Sequence, residues 1–209
     1  MINSVWHGIP HDSEVDKPWF PDGHSQGTPA KAEDEIVIDE HVREALSLSL
    51  QDVVTIGVGE GSMNFTIVGF AYHPLHIYMA PEGSLFPPES GEFVVGYLSS
   101  SGMERLTGLS QGSANTIVLD ISGTPSFDLS DTEESEGEEL DGVKEAIASS
   151  MDENGMDGRI RDRGQVESVE LMRLDLEGTK TMAAPFTILI QLIAAITIAL
   201  SLQLSLIHI

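Results

Sequence analysis

Residues 181–209 read TMAAPFTILIQLIAAITIALSLQLSLIHI, a run without a single Asp, Glu, Lys or Arg. A helix needs about 20 mostly apolar residues to cross the roughly 30 Å hydrocarbon core of a bilayer, and this run is longer. Buried core helices of soluble proteins are usually shorter and alternate with polar positions. A transmembrane helix is therefore expected here, with Pro185 in its first turn, where a missing N–H costs little. Thr187, Gln191, Ala194, Ser201 and Ser205 recur at helical spacing along one side. Small and hydroxyl-bearing residues on one stripe let helices approach closely in lipid, and the Gln191 amide needs a partner there. These five are expected to contact other helices, while Ile190, Ile193 and Leu200 face lipid.

Outward from that run the chain changes character. Its 209 residues carry a formal net charge of −24, from 34 acidic and 10 basic side chains. Once the apolar end is set aside, about 180 residues remain, enough for one domain with two lobes. Duplex nucleic acid is excluded as a partner, since binding it requires Lys and Arg to neutralise phosphates. Acidity spread from Glu33 to Glu177, with only Lys17, Lys31, Lys144 and Lys180, suits a surface solvated for high salt, as in a salt-loving microbe. Like charges repel over about 10 Å at 0.1 M salt but only about 3 Å at 1 M. The melting temperature is therefore expected to rise as KCl is raised from 0.1 to 2 M. A fall across that range would overturn this reading of the charge. There is no Cys, so disulfides, thiolate metal sites and cysteine nucleophiles are excluded.

The opening residues, MINSVWHGIPHDSEVD, have neither a basic segment nor the apolar core of a signal peptide. The apolar run also ends without a polar flank. The sequence is expected to be a piece of a longer membrane protein.

Between the ends, β-branched runs alternate with turn residues. Strands are expected at residues 2–9, 35–39 (EIVID), 52–58 (DVVTIGV), 63–71 (MNFTIVGFA), 76–79 (HIYM), 92–98 (EFVVGYL), 115–121 (NTIVLDI) and 159–163. Gly59, Glu60, Gly61 and Ser62 separate two of them as a hairpin turn. Helices are expected at residues 41–48, capped by Asp39, at 102–109, and from Glu138 through Met151. The acidic run DLSDTEESEGEE at 128–139 reads as a solvated loop leading into that last helix. Residues 166–177 fit a helix by Val166, Val169, Met172 and Leu176, or a strand by alternation. The helix, feeding the membrane span, is favoured.

Few residues point to chemistry. Gly57, Gly59 and Gly61 are spaced G-x-G-x-G and followed by a strand, where a dinucleotide loop needs G-x-G-x-x-G before a helix. His73 and His76 lie close together, with His7, His11 and His24 near the start, but no H-E-x-x-H pattern or third ligand is visible. Asp152, Asn154 and Asp157 resemble a calcium loop, yet Met156 falls at a ligand position and no Glu stands twelfth. No G-x-S-x-G elbow is present. No catalytic, cofactor-binding or metal residue is assigned, and the chain is not expected to be an enzyme.

The order of elements resembles the extracytoplasmic domain of MacB/FtsX-type ABC transporter permeases (the MacB-like periplasmic core). The likeness lies in Glu35-Ile36-Val37-Ile38, then the segment from Val42 to Leu48, then Gln51-Asp52-Val53-Val54-Thr55-Ile56, then Phe65-Thr66-Ile67-Val68-Gly69. It continues in Asn115-Thr116-Ile117-Val118-Leu119, the helix from Glu138 and the closing apolar run. Trp6-His7-Gly8-Ile9-Pro10 is similar to the family's first strand and turn. Gln51 departs from it, standing where Gly usually precedes the Asp. The resemblance implies an α+β fold, a porter-like α/β lobe with a small β-rich lobe inserted, followed by a C-terminal transmembrane helix. Residues 1–33 would begin the porter-like lobe, 34–125 form the β-rich lobe, 126–180 return to the first lobe and its stalk helix, and 181–209 span the membrane. It further implies a permease dimer, formed with a second copy or a homologous permease. A separate ABC ATPase subunit would be its partner, and residues 1–180 would lie outside the cell membrane. The alternative is a single-span, tail-anchored surface-binding protein. A membrane-tethered hydrolase is the weakest of the three.

Overall fold

The computed structural model describes the chain except residues 1, 11, 14, 22–26, 60, 80, 82–83, 85–87, 111, 122–137 and 208–209, and the side chains of 138–139 and 204–207. The acidic run at 128–137, His11, His24 and Glu60 lie outside the described residues. The fold is α+β: a mixed sheet with helices, followed by one long apolar helix.

Among the described residues five strands form one sheet. They are β1 (Asn3–Ile9), β2 (Glu35–Asp39), β3 (Val53–Val58), β4 (Gly61–Ala71) and β5 (Phe93–Ser99), in the spatial order β1-β5-β2-β4-β3. β1 runs parallel to β5, β5 antiparallel to β2, β2 parallel to β4, and β4 antiparallel to β3. The strand FVVGYLS is buried at every position because β5 is flanked on both sides and covered on both faces.

One irregularity decides how β4 packs. Ile36 pairs with Ile67 but Val37 pairs with Gly69, so Val68 is an extra residue on β4. Such a bulge breaks the alternation of faces. Phe65, Ile67 and Phe70 consequently all enter the same apolar cluster, spaced first by two residues and then by three. The Val68 carbonyl accepts a hydrogen bond from the Thr28 N–H at 3.0 Å. The loop before β2 is thereby stitched to the bulge, with Gly27 bridging to Gly69.

The helix α1 (Ser100–Thr107) begins directly from β5, where Ser99 accepts from the Gly102 N–H, and ends on Gly108 at φ 70°. Its Leu106 and Met103 cover the face that carries Ile36, Ile38 and Leu98. On the opposite face Val37, Val95 and Tyr97 pack against Phe20 and Ala30 of the loop at 10–32. The helix α2 (Glu138–Glu153) is tied by Lys144 to Asp162 at 2.9 Å, just before α3 (Glu167–Ile207).

Four of the expected helices and strands are corrected. Asp39 does cap a turn, accepting from the His41 N–H at 3.1 Å. That turn is a single 3-10 turn, Glu40–Val42, and no helix runs on to 48. Leu46, Leu48 and Leu50 all lean on the core, a two-residue spacing that a helix cannot provide. Residues 76–79 are not a strand either. Pro74 cannot donate to a ladder and instead opens a 3-10 turn, Pro74–His76. Residues 115–121 pair with no strand among the described residues, and Ile117 is 79% exposed. β-propensity without a partner leaves backbone in water. Residues 159–163 form no strand, because Asp162 and Gln165 make a reciprocal capping box around the turn Arg163–Gln165.

Residues 166–177 are helical from Glu167, and the helix continues without a break to Ile207. At 1.5 Å per residue it is about 60 Å long. The segment Glu167–Gln203 is long and apolar enough to cross a membrane, and its apolar stretch is exposed all round. Pro185 is therefore not in a first turn but deep inside α3. Its missing N–H leaves the carbonyl four residues earlier, on Thr181, without its helical donor, which marks a weak point in the rod.

Candidate functional site

The hairpin-turn residues and the stripe on α3 belong to separate elements. At the hairpin, Gly57 pairs with Ser62 and Val58 with Gly61, and Gly59 takes φ 58° between them. On α3, Thr187, Gln191, Ala194 and Ser201 are exposed, and Thr187 Oγ1 donates to the Ala183 carbonyl at 2.9 Å. The side chain of Ser205 lies outside the described residues.

A group that the sequence did not assemble gathers on the sheet face carrying Tyr97. His7 on β1 pairs in register with Tyr97 on β5, so both side chains project from the same face. His73 follows β4 and His76 ends the turn after it. The rings of His7, His73 and Tyr97 lie nearly parallel, with centroids 5.2 to 6.3 Å apart. His7 Nε2 and His76 Nε2 face each other at 2.7 Å. A hydrogen bond between two imidazoles needs one protonated and one bare nitrogen, so the two rings hold opposite tautomers at these atoms.

His73 is differently engaged. Its Nδ1 accepts from the Leu75 N–H at 3.2 Å, which places the ring proton on Nε2. That nitrogen lies 3.0 Å from Asp16 Oδ1, within ion-pair reach though off the line of a hydrogen bond. His73 therefore does not offer Nε2 as a ligand beside His7 and His76. No set of three or more His, Asp or Glu among the described residues is disposed to hold a metal ion.

A second polar knot adjoins the first. Asp39, fully buried, accepts from Tyr97 Oη at 2.9 Å on one oxygen. Its other oxygen takes the His41 N–H at 3.1 Å and His41 Nδ1 at 2.6 Å. Burial, then the Asp39 charge, pushes the Tyr97 hydroxyl well above its ordinary range. The hydrogen bond to Asp39 raises His41. By contrast burial, then neighbouring His73, lowers His7. Burial, then His7 and His73, lowers His76 to about 4. Contact with His73, ahead of its own burial, holds Asp16 below the usual carboxylate range.

The cluster lies directly under the start of α3. Ser168, 3% exposed, donates to the Leu75 carbonyl at 2.9 Å, and Val169 is buried beside it. The turn that carries His76 is thus the seat on which the long helix rests. From sequence, His7, His73 and His76 were visible, but Asp16 and Tyr97 carried no signal. What joins them is the pairing of β1 with β5 across some ninety residues, which no local pattern reports. No family model, curated protein or solved structure matches the chain.

Proposed function

We propose that the chain is the extracytoplasmic segment of an ABC transporter permease of the MacB/FtsX type, with the membrane helix that follows it. The observation that carries the reading is the continuity of α3. One helix runs from a seat on the sheet domain, at Ser168 and Leu75, into an exposed apolar stretch without an intervening loop. A continuous helix of that kind links the two regions directly, so displacement of its membrane half is felt at the sheet domain, less whatever bending Pro185 allows. On this reading residues 1–180 lie outside the cell membrane and form porter-like and β-rich lobes. ATP is hydrolysed in a separate ATPase subunit, and a second permease copy or homologue completes the dimer. The domain then works on an exported substrate or an extracytoplasmic partner.

Within the bilayer, Thr187, Gln191, Ala194, Ser201 and Ser205 meet helices of the same complex. Interhelical polar contacts in membranes contribute about 0.6 to 2 kcal/mol each, so single changes weaken assembly without abolishing it. Residues 1–209 contain no Cys, so a cysteine introduced there has no native competitor within this segment. Single cysteines are placed in the complete reading frame and expressed in its native membrane. Ser62→Cys is expected to react with a membrane-impermeant maleimide on intact cells. Gln191→Cys and Ala194→Cys are expected to crosslink to a neighbouring helix, with an ABC ATPase co-purifying. Crosslinking from Ile190→Cys and Ile193→Cys instead would show the wrong face had been chosen. External labelling without any ATPase would leave the single-span surface-binding protein.

A further inference from the structure

We infer that His7 and His76 form a proton-operated latch that governs whether the foot of α3 stays seated on the turn Pro74–His76. The geometry supplies a holding and a released state. In the neutral pair one Nε2–H donates to the other Nε2 across 2.7 Å. A first proton preserves that bond, since an imidazolium can still donate to a neutral imidazole. A second proton leaves two N–H donors and two positive charges face to face, and the rings must part.

Which side moves follows from the fold. His7 is held in β1, paired along its length with β5. His76 belongs to a short 3-10 turn outside the sheet. When the rings part, the turn shifts, and the Leu75 carbonyl that accepts from Ser168 shifts with it. The helix foot then loses its buried anchor.

The charged surroundings set the range. The loop at 10–32 contributes Asp16, the end of β4 His73, β5 Tyr97 and β2 Asp39. Asp16 and Asp39 favour protonation of the pair, while burial and His73 oppose it more strongly. From α3, Ser168 bonds the turn through its hydroxyl, and Glu167 and Glu170 are the acidic residues of that first helical turn. Both pair members sit below the ordinary histidine value, His76 at about 4. An unfolded histidine protonates near pH 6.5. A group whose folded value is lowered contributes stability that is complete above the unfolded value and is lost as pH falls toward the folded one. The latch is therefore closed at neutral pH and opens between about pH 6.5 and pH 4. His41, raised by Asp39, acts with the opposite sign, its contribution lost as pH rises.

The test is hydrogen exchange on the full chain in detergent micelles between pH 7.5 and pH 4.0, corrected for intrinsic exchange, with ring ¹⁵N NMR of the histidines alongside. Protection of a peptide covering residues 166–172 is expected to fall at least tenfold over that range, while β2 and β5 stay protected. His76→Gln keeps a hydrogen-bonding side chain but cannot gain a proton, and its loss should be under threefold. The His7 and His76 rings should be neutral at pH 6. Constant protection in the unaltered chain, the same loss in His76→Gln, or rings already charged at pH 6 would each overturn the latch. If His76→Gln does not fold, the ring titration and exchange of the unaltered chain decide the matter. None of these outcomes depends on an ATPase partner, so the latch and the transport reading fail separately.

Discussion

Asp39→Ala is expected to lower the stability of the sheet domain by about 3 kcal/mol. Three interactions end at this fully buried carboxylate: the Tyr97 hydroxyl, the His41 imidazole and the His41 N–H. Removing an N-cap acceptor costs about 1 kcal/mol. Leaving the Tyr97 hydroxyl buried without an acceptor costs a further ~1–3 kcal/mol. At roughly 2–4 °C per kcal/mol for a domain of this size, the melting temperature should fall by about 10 °C. Trp6 reports it, since its indole lies over Gly96 on the other face of the sheet. Tyr97→Phe removes the donor and keeps the carboxylate's other partners, so its loss should be near 1 kcal/mol. If Asp39→Ala costs no more than Tyr97→Phe, the carboxylate is not the hub described above.

Gly69→Val separates the fold from local propensity by the sign of its effect. Val is a far better strand residue than Gly, so a reading from propensity alone expects stabilisation. In the structure a Cβ at Gly69 would meet the Thr28 carbonyl at 2.7 Å and the Phe20 ring at 2.9 Å. The first of these is backbone and cannot rotate away. The bridge from Gly27 to Gly69 must open, and the Val68 carbonyl loses the Thr28 N–H. Overpacking costs about 1–3 kcal/mol, and the broken bridge adds to it, so a loss of about 3 kcal/mol is expected. Gly57→Val is the control. On the edge strand β3 its nearest neighbour would be the Gly61 carbonyl at 3.9 Å, so the change should be neutral or stabilising. A stabilised Gly69→Val protein would show that the loop at 27–28 does not lie on the bulge.

Neither result follows from the hydrophobic pattern, and the reason differs for each. The bulge at Val68 is invisible because MNFTIVGFA reads as a plausible strand in either register. Only the pairing of Ile36 with Ile67 and Val37 with Gly69 shows where the extra residue falls. Gln51 is similar. It takes φ 71°, a left-handed conformation suited to Gly, because its N–H must reach the Ile67 carbonyl at 2.8 Å.

What the sequence determined by itself was whatever depends on neighbours a few residues away. Mostly apolar, charge-free composition over residues 181–207 specifies a helix fit for a membrane, because length and the absence of charge are local quantities. The run EIVID, the hairpin strands around Gly59 and the run FVVGYLS declare themselves by β-branched content and by a turn that supplies positive φ. Tertiary structure decided whatever needs a distant partner. NTIVLDI has strand composition but pairs with no strand among the described residues, and the first residue of HIYM, His76, is taken into the turn that Pro74 opens. LSLSL abandons the helix its composition favours because three leucines must reach one core at two-residue spacing. The histidine cluster is the clearest case. His7 and His76 stand 69 residues apart and meet at 2.7 Å only because β1 lies parallel to β5 and the turn after β4 folds over that edge. Convergence of side chains is a property of strand order and register, which the chain acquires only when the sheet closes.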